Sequence, residues 1–550
     1  MPMVVAGQYG QLNCDPLSLR LTPPCAGGDT RAMTGKVLLG TVLLVAGSTS
    51  AHAGGLFLPG TGPVSTGRAG AAIASTEGPE AIAANPAGMA KSEGTQITVG
   101  SSLISHSQSF QRNGSYDSVP GQNLAWAGDR YGVIEDNAKP KIGFGSFQAI
   151  PLIGVTHNFD CVLKGFSAGF AIFAPNAYPT RSIGDDYQLD DPTKPPPPTR
   201  YDIVSQNATA INPTVAVAYR VLPQLDVGAR FTWGISQVDS RRFTWVGENY
   251  PEWSGSDSNV VLKAKDSFVP GWSAGVTYRP LPALEVAAQY TAAMKSHAVG
   301  SAVITPSKDA RLSNQMVFFT NAVEPDPLCQ PGTSSTELKA CVDFMLPMFA
   351  SVGGRYKFNN AAGKMRGDIE LNVQWENWSA ASDTKASVKG LINGEIDIKD
   401  TYVRHGFRDT YSVRVGGSYN SPVAGHDLTL RGGAAYDSGA AKPGWERLDF
   451  DGAARIMATG GASYRLDRYQ FDLGAGVALQ GTRNVGGDCN PTKTAPGCLG
   501  NGQQTPVLDR AGWDPGQSAF PLESQAENPV NHGQYKSHYV LIMLGATTWF

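Results

Sequence analysis

One pattern constrains this chain more than any other: segment after segment ends in the same way. TVAVAYRVLP (214–223), GWSAGVTYRPLP (271–282), ASVGGRYKFNN (350–360), SVRVGGSYNSP (412–422) and ATGGASYRLDR (458–468) each alternate, reach a tyrosine and pass into a short turn. Within them the alternation is strict. Val215, Val217, Tyr219 and Val221 share one face, opposite Thr214, Ala216, Ala218 and Arg220. In LDVGARFTWGIS, Leu225, Val227, Ala229, Phe231, Trp233 and Ile235 oppose Asp226, Gly228, Arg230, Thr232, Gly234 and Ser236. In DTYSVRVGGSYN, Tyr411, Val413, Val415 and Tyr419 oppose Thr410, Ser412, Arg414, Ser418 and Asn420. A period of two is the signature of strands. Periodicity alone does not say which face meets water, because a soluble β-sandwich reads similarly.

The connections separate the two cases. The turns after the tyrosines are tight, whereas 179–205, 244–258, 305–343, 386–396, 438–452 and 486–533 are long, polar and rich in proline and glycine. Short and long connections alternate along the chain, as in a transmembrane barrel with short periplasmic turns and long external loops. The tyrosines then form a girdle at the inner membrane–water boundary, ring in the acyl region and hydroxyl wet. Composition agrees: charged residues are 17 %, glycines number 64, and a net charge of -3 gives no footprint for nucleic acid. Apart from one N-terminal run, no stretch reaches the roughly 18 apolar residues of a membrane helix. Fourteen strands are expected, at 95–106, 147–159, 166–178, 206–221, 225–243, 259–280, 284–304, 344–358, 366–386, 396–420, 427–438, 453–466, 469–485 and 534–550. The fold class is therefore all-β, an antiparallel barrel spanning 95–550. Its last strand alternates His538, Val540, Ile542, Leu544, Ala546, Thr548 and Phe550 on one face and ends on Trp549-Phe550. That ending is similar to the signal that outer-membrane barrels present to their assembly machinery.

The N-terminus divides into three. Residues 33–53, MTGKVLLGTVLLVAGSTSAHA, read as a secretory signal peptide: Lys36, an apolar run from Val37 to Ala46, and an Ala-His-Ala end. Residues 1–32 read as a start-site over-extension, so Cys14 and Cys25 are set aside. Residues 54–94 do not alternate, and their scarcity of charge disfavours a solvated tail; a plug inside the lumen is expected. In an exported protein, Cys329 with Cys341 and Cys489 with Cys498 read as two small loop disulfides, leaving Cys161 as a thiol near a turn.

The segment GLFLPGTGPVSTGRAGAA…EAIAANPAGMA resembles the N-terminal hatch of the FadL-type outer-membrane long-chain fatty acid transporters, TodX-like members included. Asn85, Pro86 and Ala87 match the hatch's Asn-Pro-Ala motif. FAIFAPNAYPTR (170–181), GWSAGVTYRPLPALEVAAQYTAAMKSHAVGSA (271–302), LNVQWENWSAASD (371–383) and LRGGAAYDSG (430–439) resemble the family's barrel. The likeness runs over nearly all of 54–550; the Pro195–Pro198 run and the segments 305–343 and 486–533 have no counterpart. The resemblance implies a monomeric fourteen-stranded barrel closed by a hatch, with neither enzyme activity nor cofactor. A hydrophobic ligand, such as a long-chain fatty acid, would be caught at the external loops and pass to a pocket above the hatch. It would leave sideways through a gap made by a kinked third strand, by diffusion. Partners would be that ligand, outer-membrane lipid and lipopolysaccharide.

The residues add candidates. Pro175 and Asn176 interrupt the third strand, and proline cannot donate to a ladder; they mark either the gap or the strand's end. Arg230, Arg355, Arg414, Arg431 and Arg455 share the inward face with Asp226, Glu285, Glu370 and Glu376. They either tie wall to hatch in a salt-bridge network or include one that binds a carboxylate head group; Lys295 is another candidate. The acidic stretch Gly184–Asp191 could gather Ca²⁺, although a solvated loop tip is the simpler reading, and no metal is expected. An aromatic hydrocarbon channel is the main alternative, a general porin or lipolytic barrel a lesser one. His106, His157, His297, His405 and His538 form no pattern with a nucleophile.

Overall fold

The computed structural model describes residues 55–119, 121–245, 253–312, 314–321, 329, 337–361, 363–442, 444–485 and 530–550. The segments 1–32 and 33–53, Cys489 and Cys498 lie outside them.

Alternation builds the wall. Its strands are β1 (Thr95–Arg112), β2 (Phe147–Asn158), β3 (Phe166–Phe173), β4 (Ser205–Leu222), β5 (Leu225–Trp245), β6 (Asp257–Leu281) and β7 (Leu284–Thr291, then Met294–Pro306). They continue as β8 (Leu338–Leu346, then Phe349–Asn359), β9 (Met365–Glu376, then Asp383–Ile392), β10 (Thr401–Arg404, then Thr410–Val423), β11 (His426–Asp437), β12 (Arg455–Leu466), β13 (Tyr469–Val485) and β14 (Gly533–Trp549). Each pairs antiparallel with its neighbour in sequence, and β1 closes on β14 with Gln96 opposite Trp549 and Arg112 opposite Gly533. The fold is a closed fourteen-stranded antiparallel barrel. Closure leaves no unpaired edge, which is what a bilayer requires of a sheet. No helix among the described residues is long and apolar enough to cross a membrane.

The faces fall as the alternation predicts. Val215, Val217, Phe231, Trp233, Val413 and Val415 are exposed outward, whereas Thr214, Thr232, Ser412 and Arg414 are buried. Tyr219, Tyr278, Tyr356 and Tyr419 stand exposed at one end of the wall, beside the short turns; Tyr464 is half-buried there.

Several boundaries differ from the sequence reading. β1 runs six residues past 106, and Val133–Glu135 of the following loop pairs onto its outer end. β3 stops at Phe173 rather than 178, because the chain turns off the wall at Pro175. Four adjacent strands, β7 to β10, are each interrupted part-way along. In β9 the interruption is a 3-10 turn, Trp378–Ala381, that carries Trp378 into the interior at 1 % exposure. There it meets Phe57, Phe407 and Phe450 with ring centroids 5.7, 5.5 and 5.9 Å away.

Inside the wall, residues 55–94 form two short helices, α1 (Pro63–Thr66) and α2 (Gly78–Ala83), and a 3-10 turn, Pro86–Lys91. Wall glycines make room for them. A Cβ on Gly275 would lie 1.9 Å from the Asn85 side-chain oxygen; on Gly228, 2.4 Å from the Pro86 backbone; on Gly433, 2.3 Å from that of Arg68. The inward-facing glycines are thus a seat cut for this segment, at the stations where its backbone leans on the sheet.

Candidate functional site

The seat is locked by charge. Arg68 reaches from the N-terminal segment to Asp368 (2.8 Å) and Glu370 (3.3 Å), both buried on β9. Glu370 also accepts the Ala74 backbone N–H at 2.8 Å. Lys91 approaches Glu285 of β7 at 3.7 Å. Arg355 joins the same network through Glu285 (3.0 Å) and Asp368. Arg455 pairs with Asp437 at 2.7 Å and donates to the Phe57 carbonyl. Arg230 donates to the carbonyls of Ile82 and Ala83, so it caps the C-terminal end of α2, where a cation is favoured. Arg431 donates to Ser463. These four inward arginines are thus spent on wall and segment, and the fifth, Arg414, on the wall. Asn85 is built in equally firmly: its amide donates to the Ile73 carbonyl at 2.9 Å, and its oxygen accepts from the Ala87 N–H at 3.2 Å, capping the 3-10 turn. Pro86 supplies the first residue of that turn, where no N–H is needed.

Above this floor lie two cavities that share lining residues. The lower, about 160 Å³, is lined by Phe57, Leu58, Phe173, Pro175 and Met294, with Arg230 and Arg414 at its polar side. Arg414 donates to Gln374 at 3.2 Å and stands 3.8 Å from Asp437. The upper, about 260 Å³, is largely apolar, with Ile235, Val238, Leu262, Phe344, Trp378 and Phe407 in its wall. Ala174, Pro175, Asn212, Met294 and Leu346 line both, so the two meet at the end of β3.

That end is where the wall is thinnest in hydrogen bonds. β2 and β3 pair only from Leu152–Phe173 to Asn158–Ser167, leaving Phe147–Pro151 of β2 without a β3 partner. Beyond Phe173 the chain bends inward through Pro175 and Asn176, then rejoins β4 with Arg181 opposite Gln206. The bend is fastened to the N-terminal segment. The Asn176 amide donates to the carbonyls of Leu58, Pro59 and Gly60 at 3.3, 3.3 and 2.9 Å, and the Leu58 N–H returns to the Asn176 carbonyl at 2.7 Å.

The outer end of the upper cavity is polar. Asp202 and Asp449 line it, and both are already paired: Arg447 bonds Asp202 and stands 3.3 Å from Asp449, while His405 is 3.0 Å from Asp449. Burial pushes the Asp202 carboxyl above its ordinary range. At Asp449 burial acts the same way but is outweighed by the neighbouring His405 and Arg447 charges, which hold it well below that range. Arg242 of β5 also lines this cavity. Among the described residues it makes no hydrogen bond or ion pair, the local carboxylates being taken by Arg447 and His405. Lys399 stands at the rim.

The sequence reading missed Arg242. The signal is present beyond the LDVGARFTWGIS stretch: the inward parity of β5 runs through Ser236, Val238 and Ser240 to Arg242. Lys295 requires a correction, because it is exposed on the outer face, next to buried Ser296, and so cannot meet a ligand in the lumen. Cys161, read as a thiol, is disulfide-bonded; Cys329 and Cys341 are bonded to each other. The acidic stretch does not converge on a point. Asp185 pairs with Arg241 at 3.1 Å, Asp186 with Lys194 at 3.2 Å, Asp190 with the Ser307 hydroxyl, and Asp191 with its own turn. His405 engages Asp449 and a backbone carbonyl rather than a serine hydroxyl.

The sequence matches the outer membrane protein transport protein family (OMPP1/FadL/TodX) over residues 44–499. This chain belongs to that family. Solved structures share the fold at low identity. A Pseudomonas aeruginosa FadL homologue superposes with a TM-score of 0.63 at 18 % identity, covering 90 % of this chain and 100 % of its own. The Ralstonia pickettii toluene transporter TbuX gives 0.53 at 16 %, covering 90 % and 99 %, and the Pseudomonas putida toluene transporter TodX 0.52 at 12 %, covering 90 % and 100 %. No curated protein matches the sequence. As a FadL/TodX-family member, the protein is an outer-membrane transporter of hydrophobic compounds and not an enzyme.

Proposed function

We propose that the protein carries long-chain fatty acids, or amphiphiles with the same acidic head, into the outer membrane. Residues 55–94 serve as the hatch, and exit is sideways at the end of β3. The observation that carries the choice of cargo is Arg242, a guanidinium without a hydrogen-bonded or ion-paired partner among the described residues, at the polar outer end of a largely apolar cavity. A pure hydrocarbon has nothing to offer that charge; a carboxylate can accept from it through two oxygens. The apolar wall takes the tail.

Sideways exit follows from magnitude. A stretch of about ten methylenes held in water costs about 8 kcal/mol, at about 0.8 kcal/mol each, which is roughly a millionfold in population. An aqueous lumen would therefore be a barrier, and a route that keeps the tail against apolar side chains and then lipid is not. The lumen below is filled by the hatch, whereas the β2–β3 ladder ends beside both cavities. Release depends on the Asn176 fastening, which ties bend and hatch together.

The test is Arg242→Gln. Binding of a long-chain fatty acid to purified protein should weaken by about tenfold or more, the worth of a charge-assisted pair, while binding of the matching fatty alcohol is unchanged. Equal affinities for acid and alcohol in the native protein would remove the head-group role and favour a hydrocarbon channel, the cargo named for TbuX and TodX.

A further inference from the structure

The outer surface carries a cluster of lysines that transport does not use. On β6 the exposed apolar face runs from Tyr278 at the turn end to Phe268, whose ring meets Trp233 of β5 at 4.6 Å. Ten residues of tilted strand rise about 25 Å along the bilayer normal, the height of the apolar band of such barrels. Phe268 and Trp233 therefore mark its upper limit. Directly above, on the same face, stand Lys265 and Lys263, both exposed.

The register extends the cluster sideways. Lys263 lies opposite Ser301 of β7, Ser301 opposite Lys339 of β8, and Lys339 opposite Lys389 of β9. With strands about 4.8 Å apart, the row from Lys263 to Lys339 spans about 10 Å. Carboxylates border the row but are held by other partners: Asp239, opposite Lys263 in the register, and Asp266, next to Lys265, which accepts from the Ser296 hydroxyl (3.1 Å) and the His297 N–H (2.9 Å). Asp239 pairs with Lys141, Asp343 with His297, and Asp400 with Lys385 (2.8 Å) and Lys389 (3.3 Å). Among the described residues Lys263, Lys265 and Lys339 have no acidic partner, and they sit at head-group depth on a barrel of the outer membrane.

We propose that Lys263, Lys265 and Lys339 form a binding site for the phosphate groups of the outer leaflet's phosphorylated glycolipid. The site holds the lipid against β6 and β7, beside the buried Cys329–Cys341 disulfide on the outer face of β8.

The test is native mass spectrometry of the full-length protein in detergent with diphosphorylated lipid A. The wild type should retain it, and the triple variant K263Q/K265Q/K339Q should lose about tenfold or more of the occupancy, each lysine contributing to attraction for an anionic head group. The triple arginine variant should keep it. Heat-modifiable mobility on gels should be the same for all three, which separates lost binding from lost folding. Wild-type occupancy in the glutamine variant, or equal retention of phosphate-free lipid A by the native protein, would overturn the proposal.

Discussion

Asn85 shows how one side chain holds two kinds of structure. It caps the Pro86–Lys91 turn, bonds the Ile73 carbonyl, and presses its oxygen where Gly275 leaves a space. Asn85→Ala should lower stability by about 1 kcal/mol through the lost cap. Barrel assembly, followed by heat-modifiable mobility, should survive and fatty acid uptake should fall; wild-type uptake would show that the turn is dispensable. Gly275→Val should do more, because a Cβ 1.9 Å from the Asn85 oxygen leaves the hatch nowhere to sit. Its expected signature is an ion leak in planar bilayers from a barrel that still folds. At this scale the sequence was legible where chemistry is local: Asn85-Pro86 reads as a cap followed by a first-turn proline. It was not legible for the inward arginines, because which of them lacks a carboxylate depends on pairings across the lumen, such as Arg447 with Asp202 from loops more than two hundred residues apart. A parity pattern places an arginine on a face and says nothing about what waits opposite.

Among the elements, the strands were written plainly in the alternation, since a one-residue slip would turn every valine of Val215–Val221 from lipid to lumen. The interruptions were not. Pro175 signals a break, but whether the chain leaves outward into a loop or inward across the lumen is decided by Asn176 finding three carbonyls of the hatch. Likewise the breaks in β7 to β10 surround Trp378, which turns inward onto Phe407 and Phe450, and no local signal in WENWSAAS gives that direction. Asn176→Ala removes the amide that fastens the bend. If the bend is the exit, uptake should change several-fold in this variant while ligand binding to the upper cavity stays within about twofold. A parallel loss of binding and uptake would instead make the bend part of the pocket. Removing Pro175 and Asn176 and bridging the strand directly should extend the β2–β3 ladder and abolish uptake.

On the proposed function, the hatch, the glycine seat and the two cavities of the whole molecule make one arrangement: a barrel closed to water along its axis and lined with apolar side chains toward its wall. A barrel with a segment packed inside it was foreseeable from short turns alternating with long loops, and from a non-alternating segment placed before the first strand. What the chain's pattern did not give is the cargo proposed here, because that proposal rests on Arg242 and on outer-loop residues lining the cavity, where tertiary pairing rather than periodicity sets the chemistry. The most direct test is the conductance of the purified protein in planar bilayers, with and without residues 55–94. The native protein should pass almost no ion current, and the shortened one should open steady channels of porin size. Steady channels in the native protein would contradict the closed axis, and with it transport through the wall.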